Sequence, residues 1–371
     1  MILLNDFKRQ WRETREAALA TFESVGSSGW YILGSEVLAF EAALASVWGI
    51  RHCVGVASGL DAIEISLRAL GCGPGDRVLT TPVSAFATTL AIVKLGAVPV
   101  FVDVDEFGLI DLDLCRGALA ERDDVRFAVA VHLYGHALDL ERLDALRRDF
   151  GLRVVEDCAQ SFGATFARRP TGSSGQMAAT SFYPTKNLGA IGDGGAILTG
   201  DEALRDAARQ LRDYGQSAKY RHDVIGYNSR LDELQAALMN RVYLPLEERW
   251  LRRRREVAAR YSAAIANPRV RVPGAPRGSS SGWHLFPVHV EERDKVAFIA
   301  HLRERDVLAG EHYPRSIDEQ QALAGVPFEI VGALARAHRH ARTEVSLPIH
   351  PYLTDEEIEL VAAACNAWAP R

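Results

Sequence analysis

The chain has 371 residues, of which 48% are hydrophobic and 25% charged, with a formal net charge of -5. That length supports a large buried core without disulfide or metal staples. The slightly acidic balance excludes the dense basic surface that nucleic-acid phosphates demand, and no apolar run reaches the ~18 residues of a membrane span. From residue 52 onward, short β-branched runs alternate with helical patterns, which predicts a mostly parallel α/β sheet. His52–Ala57 reads as a strand and Asp61–Leu70 as the helix after it. Arg77–Thr81 and a helix around Ala87–Leu95 follow, then strands at Val98–Val104 and Phe127–Leu133. Leu140–Phe150 returns as a helix, and Leu152–Glu156 is a buried strand ending on Asp157. Ala178–Tyr183 and Gly195–Thr199 are strands joined by a loop alone. A long helical region runs from about Leu231 to Ile265, bent at Pro245. Asn267–Gly282 reads as an exposed connection; a strand at 283–290, a helix at 294–305 and a final helix at 355–368 form a smaller unit. The expected architecture is a three-layer α/β sandwich over 1–245, with an N-terminal helical arm, and a smaller C-terminal α+β domain over 246–371.

The basic residues are unevenly chosen. Of 43 Lys+Arg, only Lys8, Lys94, Lys186, Lys219 and Lys295 are lysines. A lysine kept inside an apolar, glycine-rich stretch therefore invites a chemical explanation. The run 251–255, flanked by Glu247, Glu248 and Glu256, reads as a solvated, salt-bridged helix face. Five cysteines without CxxC or Cys/His clustering fit small core residues. With an N-terminal apolar run too short for a signal peptide, they point to a reduced, cytoplasmic protein. His132 and His136 lack the helical HExxH context, so no metal site is expected.

In open α/β sheets ligands sit at the carboxyl ends of strands. After the first strand, Ser58, Gly59, Leu60 and Asp61 open a helix, a position that either cradles an anion or is merely capped. Phe86 follows the second strand and is either a platform for a flat ring or core. Asp157, with Gln160 three residues on, ends the strand at 152–156; its carboxylate either pairs with a protonated ring nitrogen or ties down a loop. The segment SFYPTKNLGAIGDGGA (181–196) carries Lys186 among aromatics, proline and glycines, with no carboxylate before Asp193. Burial lowers a lysine's pKa and makes it a nucleophile and base, roles closed to arginine. An anion cradle, a stacking ring, a strand-end aspartate and an apolar lysine together describe a pyridoxal phosphate site.

Six segments carry a family resemblance: SGLDA (58–62), EDCAQSFGA (156–164), SFYPTKNLGAIGDGGA (181–196), GYNSRLDELQAA (226–237), HYP (312–314) and EVSLPIHPYL (344–353). Together they resemble the DegT/StrS nucleotide-sugar aminotransferases of the aspartate aminotransferase-like fold type I, from about residue 28 to the C-terminus. The resemblance implies that Lys186 carries pyridoxal 5'-phosphate as a Schiff base, with pyridoxamine 5'-phosphate formed in turnover. It implies that Asp157 pairs with the pyridine nitrogen, Phe86 stacks on the ring and Gln160 contacts the ring hydroxyl. Ser58, Gly59, Leu60 and Ser181 would hold the phosphate, and Asn228 would reach the neighbouring subunit's phosphate site in a homodimer with shared active sites. Tyr183, Lys219, Arg230, His312 and Tyr313 become candidates for contacting the nucleotide-sugar. The stretches 181–196 and 219–230 are most similar to enzymes that aminate 3-keto sugars, with glutamate as donor and a dTDP-linked 3-keto-6-deoxyhexose as acceptor. A UDP-linked 3-keto sugar is the alternative, and a non-catalytic sensor of the same fold is the alternative of another class. Departures from the family pattern include Leu60 in place of a common Thr, Phe162 in place of a usual His, and Arg315–Gln320 after HYP.

Overall fold

The computed structural model describes residues 1–370. Seven of the eight strands of the large sheet are β1 (His52–Val56), β2 (Arg77–Thr80), β3 (Val98–Phe101), β4 (Val125–Val131), β5 (Arg153–Asp157), β6 (Met177–Ser181) and β7 (Gly195–Thr199). Their spatial order is β1, β7, β6, β5, β4, β2, β3, with β7 antiparallel to both neighbours and the remaining pairs parallel. The sheet is thus mostly parallel, as the alternating pattern predicts, and the β6–β7 hairpin replaces one helical crossover.

Its strands are apolar on both faces because helices cover both. Along β4, Phe127 and Val129 join one core with Ile63, Ile65, Ile92 and Leu211, while Ala128 and Ala130 join the other with Cys115, Leu119, Leu143 and Leu146. The first face carries α3 (Gly59–Ala69), α4 (Phe86–Lys94) and α7 (Glu202–Arg212); the second carries α5 (Leu112–Ala120) and α6 (Leu140–Phe150). Each of these helices starts where the sequence supplies a cap or a sharp strand-end turn. Ser58 Oγ accepts the Asp61 N–H at 3.1 Å, and Asp139 accepts from Glu141 and Arg142. Two further helices, α1 (Phe7–Ser28) and α2 (Ser35–Trp48), pack Ala18, Phe40, Leu44 and Trp48 against Phe182, Leu198 and Leu231.

The expected helix at 231–265 is a composite. Helix α8 (Glu233–Leu238) passes into a π turn at Met239–Tyr243 and a 3-10 turn at Leu244–Leu246, where Pro245 lacks the N–H an α-helix needs, and then into α9 (Glu247–Ala264). Strand β8 (Phe286–His289) begins later than expected. It pairs antiparallel with the later strand at Glu344–Leu347 over a core of Tyr261, Phe298, Leu302, Val361 and Ile358. Ile2 enters this core through its N–H bond to the Asp306 carbonyl. Between the two strands, β9 (Glu329–Ile330) returns to the large sheet, parallel to β3, and Ile317, Leu323 and Leu334 pack beneath it. The closing strand is β10 (Glu344–Leu347), preceded by α11 (Ala335–Thr343). Helix α10 (Lys295–Arg303) and helix α12 (Asp355–Asn366), the latter opened by a Thr354/Glu357 capping box, complete the chain.

Among the described residues, no helix is long and apolar enough to cross a membrane. All five cysteines are buried and free. The basic run 251–255 departs from the expected solvated face. Arg253 does bridge Glu256 and Asp355, but Arg254 is buried and donates to the carbonyls of Trp283, His284 and Ile349. The helical phase decides this: one position in the run turns inward, and three carbonyls take up its Nη1 while its buried Nε has no partner.

Candidate active site

A cavity of about 690 Å³ opens at the carboxyl ends of β1, β5 and β6. Its lining includes Gly59, Leu60, Asp157, Ser181, Tyr183, Lys186, His312 and Tyr313, eight residues expected from the sequence. They come from four separate stretches, brought to one edge by the parallel strand order.

One wall is the start of α3. The first N–H groups of a helix have no intrahelical partner, so Gly59 and Leu60 present free donors at the positive end of the helix dipole. Close packing sets this wall. A Cβ on Gly59 would fall 2.6 Å from the Ser181 Cβ, and one on Gly195 would fall 2.4 Å from the Ser58 carbonyl oxygen. Ser58 itself caps the helix, as its position allowed. Ser229 Oγ donates to the Asp61 carboxylate at 2.7 Å and accepts the Ala57 N–H at 3.0 Å, which pins the loop before α8 to the same wall.

Opposite stands Asp157 at the end of β5. Its Oδ2 accepts from Thr88 Oγ1 at 2.8 Å and its Oδ1 from the Ala159 N–H at 3.1 Å. Ser84 Oγ lies 2.8 Å from Thr88 Oγ1, so the carboxylate is oriented by neutral donors and has no ion-pair partner among the described residues. Phe86 lies between Ala85 and Ala87, which both line the cavity, and its half-buried ring packs partly against the core.

Lys186 closes the floor. The turn that carries it is held by its own N–H to the Tyr183 carbonyl at 2.8 Å and by Asn187 Nδ2 to the Gly282 carbonyl at 2.7 Å. Part of the side chain faces the cavity, so by surface area it is only half-buried, yet protein surrounds the amine. Burial brings its pKa down to about 8, an effect the Asp157 carboxylate partly opposes. Near neutrality a useful fraction of the amine is therefore unprotonated.

Gln160 does not line the cavity but ties its far wall together. Its Oε1 accepts the Tyr134 N–H at 2.7 Å and its Nε2 donates to the Tyr313 hydroxyl at 3.2 Å. The His312 N–H donates to Glu344 at 2.7 Å, and His312 Nδ1 lies 2.9 Å from Ser346 Oγ. Burial, reinforced by the Lys186 charge, lowers His312 to about 4, so its ring is neutral.

Three expected site residues stand apart from the cavity within one chain. Asn228 and Lys219 are exposed, the latter over the Tyr220 ring at 5.3 Å. Arg230 pairs with Asp213 at 3.2 Å and stacks on Tyr214 at 5.1 Å. Conversely, sequence reasoning missed Leu3, Leu4, Asn5, Phe7 and His284, which line the cavity. Their motifs carry no chemical signal, although the apolar Met1–Leu4 run before the first helix is an arm in search of a surface. The buried cluster of His132, Glu156 and Cys158 has its polar atoms taken: Glu156 accepts from His132, Gly172, Ser174 and Gly175, and His132 Nδ1 from the Leu138 N–H.

The site fits pyridoxal phosphate on its own residues: a helix-start cradle that a side chain would fill, an amine with lowered pKa, and a fixed carboxylate across the cavity. The likenesses to known proteins agree. The chain is 41% identical over 369 residues, 99% of its own length and 96% of the relative, to a dTDP-3-amino-3,4,6-trideoxy-alpha-D-glucose transaminase of Streptomyces venezuelae. A crystal structure of S. venezuelae DesV in complex with a ketimine intermediate superposes with a TM-score of 0.94 at 40% identity, covering 100% of this chain and 99% of that one. The Bacillus subtilis protein NtdA, solved with bound cofactor PMP, superposes at 0.86 with 29% identity over 95% of this chain and 81% of its own. Residues 12–366 match the model of one family, and the chain belongs to it: the DegT/DnrJ/EryC1/StrS aminotransferase family.

Proposed function

We propose that this chain transfers the amino group of glutamate to a dTDP-linked 3-keto-6-deoxyhexose, giving the 3-amino sugar, with pyridoxal phosphate as cofactor. The carrying observation is Lys186, an amine lowered to about 8 between the helix-start cradle and Asp157. Bound there, pyridoxal phosphate supplies an electron sink for the carbon that loses its proton. The Gly59 and Leu60 amides and the Ser181 hydroxyl hold a phosphate, where the helix dipole favours negative charge. Asp157, oriented by Thr88 and Ala159, holds a proton on a ring nitrogen opposite. Phe86 would pack against the ring, and Gln160, bonded to the Tyr313 hydroxyl, would set the position of that side chain. Lys186 would hold the cofactor covalently, and its neutral amine would take and return the substrate proton. Leu3, Leu4, Leu60 and Leu308 keep that proton from bulk water.

His312, Tyr313 and Tyr183 face the space left for the sugar, and the neutral His312 ring either donates to or accepts from a hydroxyl. Asn228, Lys219 and Arg230 are surplus in a single chain, which supports a homodimer in which this loop completes the partner's site. The 219–230 stretch and the name of the Streptomyces relative support the dTDP sugar over a UDP sugar. The residues from 246 on, apart from the 317–337 segment that joins the large sheet and its core, act as a smaller domain, and the free cysteines suit a reducing cytoplasm. The test is spectroscopic. Purified protein is expected to be yellow, to bleach with glutamate and to recover with the dTDP-3-keto sugar faster than with its UDP counterpart. A colourless protein that takes up no pyridoxal phosphate would overturn the proposal; one that binds it without cycling would favour the sensor reading.

A further inference from the structure

A second polar cavity of about 250 Å³ lies behind the far wall of the active site, between the loop after β3 and α11. Arg271, Arg339, His289 and His340 line it together with Asp105 and Glu106. Its charges are unevenly matched. Arg336, also in the lining, pairs with Asp111 at 2.7 Å and Asp103 at 3.5 Å. Asp105 spends Oδ1 on the N–H groups of Phe107 and Leu109. Arg271 and Arg339 have no carboxylate within ion-pair distance among the described residues. Both side chains are exposed at the surface, yet partial desolvation on the cavity side, and after it the Arg339 charge, lower the Arg271 pKa, with Glu106 opposing.

His289 adds the second observation. It is 4% exposed, and its Nδ1 lies 2.8 Å from Thr343 Oγ1. The Thr343 hydroxyl hydrogen is directed at the Arg339 carbonyl at 2.9 Å, so Nδ1 must be the donor of that pair. Nε2 is then a bare acceptor, buried and without a partner. Buried polar atoms in folded proteins almost always have one.

We infer that this cavity binds inorganic phosphate, with charged oxygens between the Arg271 and Arg339 guanidinium groups and the remaining P–OH donating to His289 Nε2. The acceptor selects among anions. Phosphate keeps a proton at neutral pH, whereas sulfate and carboxylates have none to give. The site is also wired to the catalytic cavity. His340, next to Arg339, donates through Nε2 to the Tyr134 hydroxyl at 2.8 Å, and Tyr134 donates that hydroxyl to the His312 carbonyl. The same Tyr134 holds Gln160 through its N–H. Phosphate that draws Arg339 inward thus bears on His312 and Tyr313, and through them on affinity for the sugar nucleotide.

Calorimetric titration of the holoenzyme with inorganic phosphate tests the site without reference to activity. One saturable phosphate per chain is expected, with sulfate about tenfold weaker or more, the weight of one hydrogen bond to a charged group. R271Q/R339Q is expected to lose at least about tenfold in phosphate affinity and to keep its turnover in phosphate-free buffer. Equal binding of sulfate, survival of phosphate binding in R271Q/R339Q, or no saturable binding would each overturn the inference. The coupling rests on the proposed transaminase reading and is read separately. Phosphate should change KM for the sugar nucleotide several-fold with kcat little altered, and R271Q/R339Q should lose that response. A response retained in R271Q/R339Q would place the effect in the catalytic cavity and overturn the coupling while leaving the binding result intact.

Discussion

The Lys186 turn and the 213–230 loop both carry cations that the sequence marks as functional, yet they treat them in opposite ways. Lys186 is surrounded by protein, has no ion pair among the described residues and has its pKa pulled down to about 8. Arg230 is paired with Asp213 and stacked on Tyr214, while Lys219 and Asn228 face solvent. A cation without a partner in a low-dielectric cavity is costly, and the fold accepts that cost where a neutral amine is useful. The loop's polar groups cost nothing where they are. The proposed homodimer would give them a role at the site of a second copy.

Four experiments would break or sharpen this contrast. Lys186→Ala is expected to lower turnover by at least about 10³-fold while leaving the fold intact, since it removes nucleophile and base together. Steady-state kinetics with an unchanged thermal midpoint would check it, and wild-type turnover would end the mechanism. Gly59→Ala comes next. Its Cβ would sit 2.6 Å from the Ser181 Cβ, so overpacking of about 1–3 kcal/mol should weaken cofactor retention about tenfold or more, measured by dialysis and absorbance. Unchanged retention would remove the cradle from this wall.

Asn228→Ala should cost about tenfold in cofactor affinity, the weight of one charged hydrogen bond, if the loop serves a partner subunit. Mixing Asn228→Ala with Lys186→Ala subunits is the sharper measurement. One site of each hybrid then has both residues, and wild-type affinity should return there; no recovery on mixing would leave the loop a solvated surface. The smallest effect concerns pH. The apo-protein should capture pyridoxal phosphate about fivefold faster at pH 8 than at pH 7, because the neutral amine fraction rises through a pKa of about 8. A flat profile over that range would mean that the amine of Lys186 is not poised as its burial implies.

Much of the site is legible in contiguous residues. Strand-end motifs such as Ser58–Asp61 and Asp157–Gln160 encode both a local turn and the chemistry placed on it, and parallel strand order guarantees that such turns share an edge. Gln160 shows where this stops. Its amide joins Tyr134 to Tyr313, so it supports the wall rather than lining the cavity, and no motif announces that distinction. Strand β9 is equally silent, because two residues have no periodicity to read.

By itself, then, the sequence determined the alternation of strands and helices, the β6–β7 hairpin in place of a helix, and a lysine retained where arginine was otherwise preferred. Those are properties of short segments, where side-chain period, turn residues and composition act locally. Tertiary structure alone decided that Leu3, Leu4, Asn5, Phe7 and His284 share the cavity with Lys186, and that Arg254 turns inward from a charged run. It alone left Arg271 and Arg339 without carboxylates beside a buried histidine acceptor. Each of these depends on contacts between residues far apart in the chain, whose energies follow from packing and desolvation in three dimensions and leave no period in one.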